Sequence, residues 1–471
     1  MENPSKTKKN PFIGLRPYQT KEKDLFFGRE RQVYDLLTLL QSNRIIALLG
    51  PSGSGKTSLI NAGLIPEIVA GQNGLVGKDW VYSIFRPGSN PLANFSLAIA
   101  KNNLLNPSAQ TPADEALKLE NALRTSNKSF TNYFKESEIA QKKNFLIVVD
   151  QFEDIFKYPP EREGDINLFI DNLIRIDHEP NLGVYVIFSL RSEFLGNLFP
   201  FRRLQEYLNE FQYSIPRLRR ADIEEILNKS SKISSFTFDK NTVDYLHKGM
   251  GNDPRNTAHL QYLLFNALKN NQNTSLSEST FENIGGFSMC FAHDLSAKYE
   301  QQSDGDQIII EKLIKSISNI DEMGSLKRPK KFKDIVSLCE CDATQLLSAI
   351  KFFNNLEHQF LSQIPPLISD NSSTKNTSLY NDDYIDINYP EFFKAWGLFH
   401  TWTEKERESK EMYLRLVADE QRFNTGAAGL LKPPELNIFQ NWKETQNPSE
   451  TWANQYHPNF QGAIGFLNKS I

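Results

Sequence analysis

A glycine-rich segment has the composition and spacing of a phosphate-binding loop. Residues 50–57 read GPSGSGKT, which matches the pattern G-x-x-x-x-G-K-[ST], between an apolar run and a stretch with helical periodicity. In such a loop, glycines let backbone N–H groups approach phosphate oxygens, the lysine contacts the β- and γ-phosphates, and the hydroxyl holds Mg²⁺. The predicted phosphate-binding residues are Gly50, Pro51, Ser52, Gly53, Ser54, Gly55, Lys56, Thr57 and the adjacent Ser58.

A second apolar run ends in a group of carboxylates. Residues 145–149 read FLIVV and lead into Asp150, which Glu153 and Asp154 follow closely. Because a carboxylate at a strand end holds the metal in phosphoryl-transfer sites, Asp150 joins Thr57 as a predicted Mg²⁺ ligand. Glu153 is the predicted group that orients or deprotonates water, and Asp154 is a further catalytic candidate. The alternatives are a strand cap for Asp150 and a helix-dipole partner for Glu153.

A third apolar run, residues 184–190, ends at Arg191. A guanidinium at that point could contact a γ-phosphate and report its presence, so Arg191 is the third catalytic candidate. A structural ion pair with Glu193 or Asp150 is the competing interpretation.

These side chains need a parallel sheet to bring them together. Four apolar runs, residues 44–49, 80–85, 145–149 and 184–190, show no alternation with polar residues, which is typical of strands buried on both faces. Polar helical stretches separate them, so the sequence predicts an α/β fold, a P-loop NTPase parallel sheet with helices on both faces. After residue 215 we expect strands to give way to helices.

The C-terminal half is predicted to be mainly helical. Two short β-like pieces, residues 359–364 and 384–387, flank a polar segment, residues 369–381, that we expect to be a mobile loop. From residue 391 onward the periodicity is helical, and four tryptophans are expected to be packing anchors rather than stacking platforms. They are Trp396, Trp402, Trp442 and Trp452.

Composition excludes several classes of protein. The 471 residues carry 53 Lys plus Arg against 57 Asp plus Glu, a net charge of −4 that argues against bulk electrostatic binding to nucleic acid or membrane. No apolar run approaches the length of a membrane span, and we expect a cytoplasmic location without a membrane partner. The three cysteines, which include the Cys339-Glu340-Cys341 step, are expected to be reduced structural thiols.

The order of five motifs resembles the novel STAND NTPase domain of bacteria, a family of signal-transducing ATPases related to the AAA+ and NACHT groups. The motifs are NPFIGLRPY at residues 10–18, FFGRE at 26–30, the glycine-rich loop, DQFED at 150–154 and SLRSEF at 189–194. The likeness extends over residues 10–470. The family implies ATP or ADP with Mg²⁺ as the ligands, and slow ATP hydrolysis.

The resemblance also implies a domain organisation. Residues 1–9 would be a disordered tail, 10–215 the P-loop NTPase domain, 216–285 a helical lid, 286–390 a winged helix and 391–471 a C-terminal helical domain. It places Gly28 and Arg29 near the adenine and ribose, and Pro254 in the lid motif. Family members commonly have His-Glu where this chain has Tyr389 and Pro390.

Three functions are compatible with these features. The favoured one is an ATP-dependent signalling switch, with a defence or stress role, that opens and self-associates. Its sensor and effector are expected to act in trans or to lie on an extension of this chain. A DNA-associated loader is a less favoured alternative, based on the basic run at residues 327–333. The third is a nucleotide-stabilised scaffold without turnover.

Overall fold

A computed structural model describes most of the chain in two compact units. The first unit is Met1–Cys290 with Leu356–His358, and the second is Phe291–Asn355 with Gln359–Ile471. The predicted tail at residues 1–9, the polar segment at 369–381, and Lys327 and Arg328 of the basic run lie outside the described residues. The described ranges are 10–71, 79–101, 111–137, 142–157, 164–179, 181–234, 236–270, 275–318, 329–355, 358–364 and 383–471.

A five-stranded parallel sheet organises the first unit. Its spatial order is β2-β3-β4-β1-β5, and every neighbouring pair runs parallel. Four of the strands coincide with the four predicted apolar runs to within two residues. The fifth, β5, was not predicted. The strands are β1 (Ile45–Leu49), β2 (Asp79–Phe85), β3 (Lys143–Val149), β4 (Val184–Leu190) and β5 (Gln212–Ser214).

The sheet is buried on both faces because its central strands are mostly apolar on both sides. In β1, Ile45, Ala47 and Leu49 enter one core while Ile46 and Leu48 enter the other. The predicted α/β fold with helices on both faces is therefore confirmed. The helices of one face are Pro91–Ala100, Pro112–Thr125, Ser129–Glu136, Asp165–Ile174 and Arg202–Glu210, and those of the other are Glu30–Ser42 and the helical run Lys56–Ser58, Leu59–Leu64 and Ile65–Ala70.

Short helices complete the sheet domain, and longer ones follow it. Three 3₁₀ helices, Thr20–Leu25, Arg175–His178 and Ser192–Leu198, and the one-turn helix Asp154–Lys157 connect the larger elements. Beyond β5 the chain is mainly helical, as predicted, with one small parallel pair of strands, β6 (Thr237–Phe238) and β7 (Ser275–Leu276). The helices there are Arg220–Ser234, Lys240–Met250, Asn256–Asn270, Glu278–Glu282 and Gly286–Glu300.

The second unit begins within the helix Gly286–Glu300 and continues with three more helices and a small antiparallel sheet. The helices are Asp304–Ile317, Phe332–Cys339 and Ala343–Phe353. The sheet has the order β8-β10-β9, in which β8 is Lys330–Lys331, β9 is Leu361–Ile364 and β10 is Tyr384–Ile387. The two predicted β-like pieces are thus strands β9 and β10. The winged-helix interpretation and the domain boundaries remain predictions.

Helices form the rest of the second unit. They are Pro390–Lys394, Gly397–Asn424, Glu435–Gln446, Glu450–Ala453 and Phe460–Ser470. As predicted, Trp396, Trp402 and Trp442 are buried. Trp452 is partly buried against the apolar cluster that the C-terminal helices form. Among the helices that the structure describes in either unit, none combines the length and apolar character needed to cross a bilayer.

Candidate functional site

The candidate site lies at the carboxyl ends of adjacent parallel strands. Phe85 of β2 pairs with Val149 of β3, and Val149 pairs with Phe188 of β4. Leu190 of β4 pairs with Leu49 of β1. The next residues along the chain are Arg86, Asp150, Arg191 and Gly50. Because parallel strands all end at one edge, the register alone brings two arginines, a carboxylate and the glycine-rich loop together.

The backbone of the glycine-rich loop depends on glycine at two positions. Gly53 and Gly55 have φ values of 78° and 93°, in the left-handed region that other residues rarely adopt. A Cβ on Gly53 would lie 2.9 Å from the carbonyl oxygen of Arg255, whereas one on Gly55 would point into open space. The loop therefore packs closely on one side and is open on the other, where a phosphate could approach its N–H groups.

Lys56 begins the helical run that follows the loop. Its side chain is only 8% exposed, and its Nζ donates to the carbonyl oxygens of Gly50 at 2.5 Å and Pro51 at 3.0 Å. Burial lowers the pKa of Lys56 from its ordinary 10.5 to about 8, although the nearby carboxylates of Glu153 and Asp150 oppose the shift. The ammonium group thus lies inside the loop, where it can contact a bound phosphate.

The lowered pKa predicts a pH-dependent affinity for nucleotide. Phosphate contact needs the charged lysine, and with a pKa of about 8 only about one molecule in ten keeps that proton near pH 9. We expect affinity for Mg²⁺-ATP to be about tenfold weaker there than near pH 7, with proton uptake on binding. Isothermal titration calorimetry in two buffers of different ionisation enthalpy measures both quantities. In Lys56→Arg the pH dependence should disappear; an equally steep dependence would contradict the assignment.

Thr57 and Asp150 form the predicted metal-binding pair. The Thr57 hydroxyl donates to Oδ2 of Asp150 at 2.9 Å, and the Asp150 carboxylate is buried beside the Ser189 hydroxyl. Burial raises the pKa of Asp150, since the charged carboxylate has lost water. A hydroxyl and a carboxylate are hard oxygen donors, which Mg²⁺ prefers, so these residues fit the predicted ion.

A tight turn after β3 directs Glu153 back toward the sheet. The Asp150 N–H donates to the Phe85 carbonyl and the Phe152 N–H to the Ser189 carbonyl, which anchors the turn to β2 and β4. Gln151 has a φ of 52°, an uncommon left-handed conformation for a residue with a long side chain. This backbone reversal is what places the Glu153 side chain beside the end of β4.

Glu153 and Arg191 form a fully buried ion pair. The guanidinium Nε lies 2.8 Å from Oε1 of Glu153, and the Arg191 backbone N–H donates to Oε2 at 3.2 Å. Burial acts to raise the pKa of Glu153, but the charges of Arg191, Lys157 and Lys56 outweigh it and leave the pKa below its ordinary value. Glu153 is therefore a carboxylate in this state, and its partner is the residue predicted to contact the γ-phosphate.

Asp154 has different partners from its neighbour Glu153. Its side chain is completely buried, Arg86 contacts Oδ2 at 3.0 Å through both Nε and Nη2, and Lys157 contacts Oδ1 at 3.3 Å. These two cations engage both oxygens of the carboxylate. The geometry supports a role in holding the turn after β3, while the catalytic role predicted for Asp154 remains a prediction.

Removing the charge of Arg86 should destabilise the protein. In Arg86→Met the buried Asp154 carboxylate would retain Lys157 but lose both guanidinium contacts to Oδ2, and breaking a buried pair costs about 3 kcal/mol. We expect the free energy of unfolding, measured by urea denaturation, to fall by this amount. Arg202→Met is the matched control, because its pair with Glu206 is exposed and such pairs contribute little. Equal urea denaturation midpoints for Arg86→Met and Arg202→Met would contradict the structural role of Arg86.

The residues predicted to lie near the nucleotide base contact the helical segment beyond β5. Arg29 is 6% exposed, its Nη1 donates to the Pro216 carbonyl at 2.7 Å, and Gly28 lies against Ile226. Burial lowers the pKa of Arg29 to about 10. Gly28 and Arg29 are thus placed between the sheet domain and the helix Arg220–Ser234, and their contact with a base remains a prediction.

The residue that follows Pro254 contacts the glycine-rich loop. The next residue, Arg255, has its carbonyl oxygen against Gly53, and Ala258 of the following helix contacts the same glycine. The segment predicted to be a lid therefore contacts the glycine-rich loop directly. A direct contact of Pro254 with nucleotide remains a prediction.

Sequence reasoning did not identify three residues of this site. Arg86 and Lys157 hold Asp154, and Pro216 holds Arg29. The signal for Arg86 was present, because it follows the end of β2 just as Asp150 follows β3 and Arg191 follows β4. Lys157 and Pro216 carry no comparable signal, since their roles depend on folded contacts.

Solved structures resemble this chain only at low similarity. The Drosophila origin recognition complex (ORC) bound to DNA is 14% identical with a TM-score of 0.40, covering 84% of this chain and 93% of that chain. Aeropyrum pernix ORC1 in complex with DNA is 15% identical with a TM-score of 0.40, covering 79% and 92%. TM-scores this low carry no argument about fold or function.

Sequence comparison identifies the family directly. No curated protein matches the chain. The sequence model of novel STAND NTPase 1, in contrast, matches residues 11–428, which include all the site residues described above. The chain therefore belongs to the novel STAND NTPase 1 family.

Proposed function

We propose that this protein is an ATP-binding, slowly hydrolysing molecular switch that opens and self-associates in a nucleotide-dependent manner to transmit a signal. The observation that carries the proposal is the convergence of Lys56, the Thr57–Asp150 pair and the Glu153–Arg191 pair at one edge of the sheet. Together they offer the charge, metal ligands and base that phosphoryl transfer to water needs.

Each side chain has a distinct role in this proposal. Lys56 leaves the Gly50 and Pro51 carbonyls to contact the β- and γ-phosphates. Thr57 and Asp150 hold Mg²⁺, which would neutralise developing charge on the phosphates. Glu153, a carboxylate at neutral pH, orients and deprotonates the attacking water.

The Glu153–Arg191 pair supplies the link between nucleotide state and activity. Arg191 has one guanidinium, and the γ-phosphate is an anion that competes with Glu153 for it. When Arg191 turns to the phosphate, the Glu153 carboxylate gains freedom to accept a proton from water. The contact of Arg255 and Ala258 with Gly53 supports transmission of the nucleotide state to the helical segment. Sensor and effector proteins in trans, and a cytoplasmic location, complete the proposal.

The proposal is tested by measuring mass and phosphate release on the same sample. Light scattering should give a larger particle with Mg²⁺ and a non-hydrolysable ATP analogue than with ADP, and ATP should yield slow phosphate release above a protein-free blank. The same mass in both nucleotides would refute switching by self-association. ATP retention without phosphate release would favour a nucleotide-stabilised scaffold instead.

A further inference from the structure

Two thiols meet at the turn that joins the helices Phe332–Cys339 and Ala343–Phe353. Cys339 is the last residue of the first helix and is buried, while Cys341 is partly exposed. One residue, Glu340, separates the two thiols, and each thiol shifts the pKa of the other. Neither cysteine belongs to the candidate nucleotide site.

The backbone of this turn suits a bond between the two sulfurs. Glu340 has φ 53° and ψ 41°, a left-handed helical conformation. One helical residue between two others separates their Cα atoms by about 5.4 Å, and this lies within the range that disulfides span. The Glu340 N–H donates to the Ser337 carbonyl and the Cys341 N–H to the Val336 carbonyl, both at 3.4 Å, which holds the turn in this conformation.

The surroundings give the two sulfurs different reactivity. The neighbouring Cys339 thiol lowers the pKa of the Cys341 thiol, and the positive charge of Lys312 acts in the same direction, against the effect of burial. The neighbouring Cys341 sulfur and burial raise the pKa of Cys339. Lys312 is held over the turn, because its Nζ contacts the Glu340 carboxylate at 2.7 Å and donates to the Cys339 carbonyl at 3.4 Å. A partly exposed thiol with a lowered pKa beside a second thiol is the arrangement found in redox-sensing cysteines.

We propose that Cys339 and Cys341 form a redox-active dithiol that a hydroperoxide oxidises to an intramolecular disulfide. The Cys341 thiolate attacks the peroxide, forms a sulfenic acid and releases water when the oxidant is hydrogen peroxide. The Cys339 sulfur then attacks the Cys341 sulfur, the S–O bond breaks and a second water leaves. The two thiols lose two electrons in total, and the peroxide gains them.

The full-length protein tests this proposal with hydrogen peroxide as the probe. After oxidation and alkylation of remaining thiols under denaturing conditions, trypsin releases the peptide 334–351, which contains both cysteines. We expect this peptide to appear unalkylated with a mass lower by two hydrogen atoms, and dithiothreitol to restore two alkylation sites. Circular dichroism before and after treatment checks that the chain stays folded.

Single serine variants identify which cysteines form the disulfide. Cys290→Ser should oxidise like the parent chain, whereas Cys341→Ser should lose the disulfide completely and leave Cys339 open to alkylation. The proposal fails if peroxide leaves both thiols alkylatable, if Cys341 stops at the sulfinic acid, or if the bond joins Cys290 or a second molecule. Because nucleotide binding is not a readout here, these outcomes are independent of the proposed ATPase function.

Discussion

Replacing Lys56 by alanine is expected to weaken binding of Mg²⁺-ATP by roughly 30- to 3,000-fold. The lysine is buried inside the glycine-rich loop, and truncating one partner of a buried charge pair costs about 2–5 kcal/mol, which converts to that loss of affinity. Calorimetric titration at neutral pH measures it directly. The same site contains no other lysine contacting the loop carbonyls among the residues described.

Lys118→Ala is the matched control for this variant. Lys118 is exposed on the helix Pro112–Thr125, away from the loop. Its removal should leave affinity unchanged. Circular dichroism and thermal unfolding of both variants check that a loss of affinity does not come from unfolding, since the Gly50 and Pro51 carbonyls lose the Lys56 ammonium. Parent-like affinity in Lys56→Ala would refute the assignment of residues 50–57 as the phosphate site.

Glu153→Gln is expected to reduce turnover by about 10²- to 10⁴-fold, the usual contribution of a positioned general base. The amide keeps the size of the side chain but cannot take a proton from water. ATP affinity should be retained or increased, because Arg191 loses the anion that competes with the γ-phosphate. Single-turnover phosphate release measures the chemical step, and calorimetry measures binding.

The control for Glu153→Gln is Glu136→Gln, a substitution at an exposed position at the end of the helix Ser129–Glu136. It should turn ATP over at the parent rate. Parent-like turnover in Glu153→Gln would transfer the role of base to another group, with Asp154 next in line. A large loss of ATP affinity would instead indicate that Glu153 serves structure, through its buried pair with Arg191.

Much of the sheet could be predicted because central parallel strands have a simple sequence signature. Strand β1 is apolar throughout and β4 is mostly apolar, with Ser189 as its polar exception, since both faces of each strand are buried. Strand β5 escaped prediction because it is an edge strand of three residues, Gln212–Ser214, with polar ends. Its place in the sheet comes from pairing with β1, which no local pattern reveals.

The candidate phosphate-binding loop could be located from the sequence alone because the residues that such a loop needs are adjacent in the chain. Backbone amides, two left-handed glycines, Lys56 and Thr57 all lie within one short segment. The same is true of Asp150, whose place at the end of an apolar strand indicates its role. Residue type and spacing determined these assignments, because the geometry they need is built by adjacent residues.

Only the tertiary structure decided how the charges pair. The sequence suggested Glu193 or Asp150 as the partner of Arg191 in a structural ion pair. In the structure Arg191 forms an ion pair with Glu153, and Arg86 forms one with Asp154. The reason is the register of β2, β3 and β4 together with the reversal at Gln151, which directs two successive carboxylates to cations on opposite neighbouring strands. Contacts between distant segments depend on strand order and side-chain direction, and a linear sequence specifies these only through the fold.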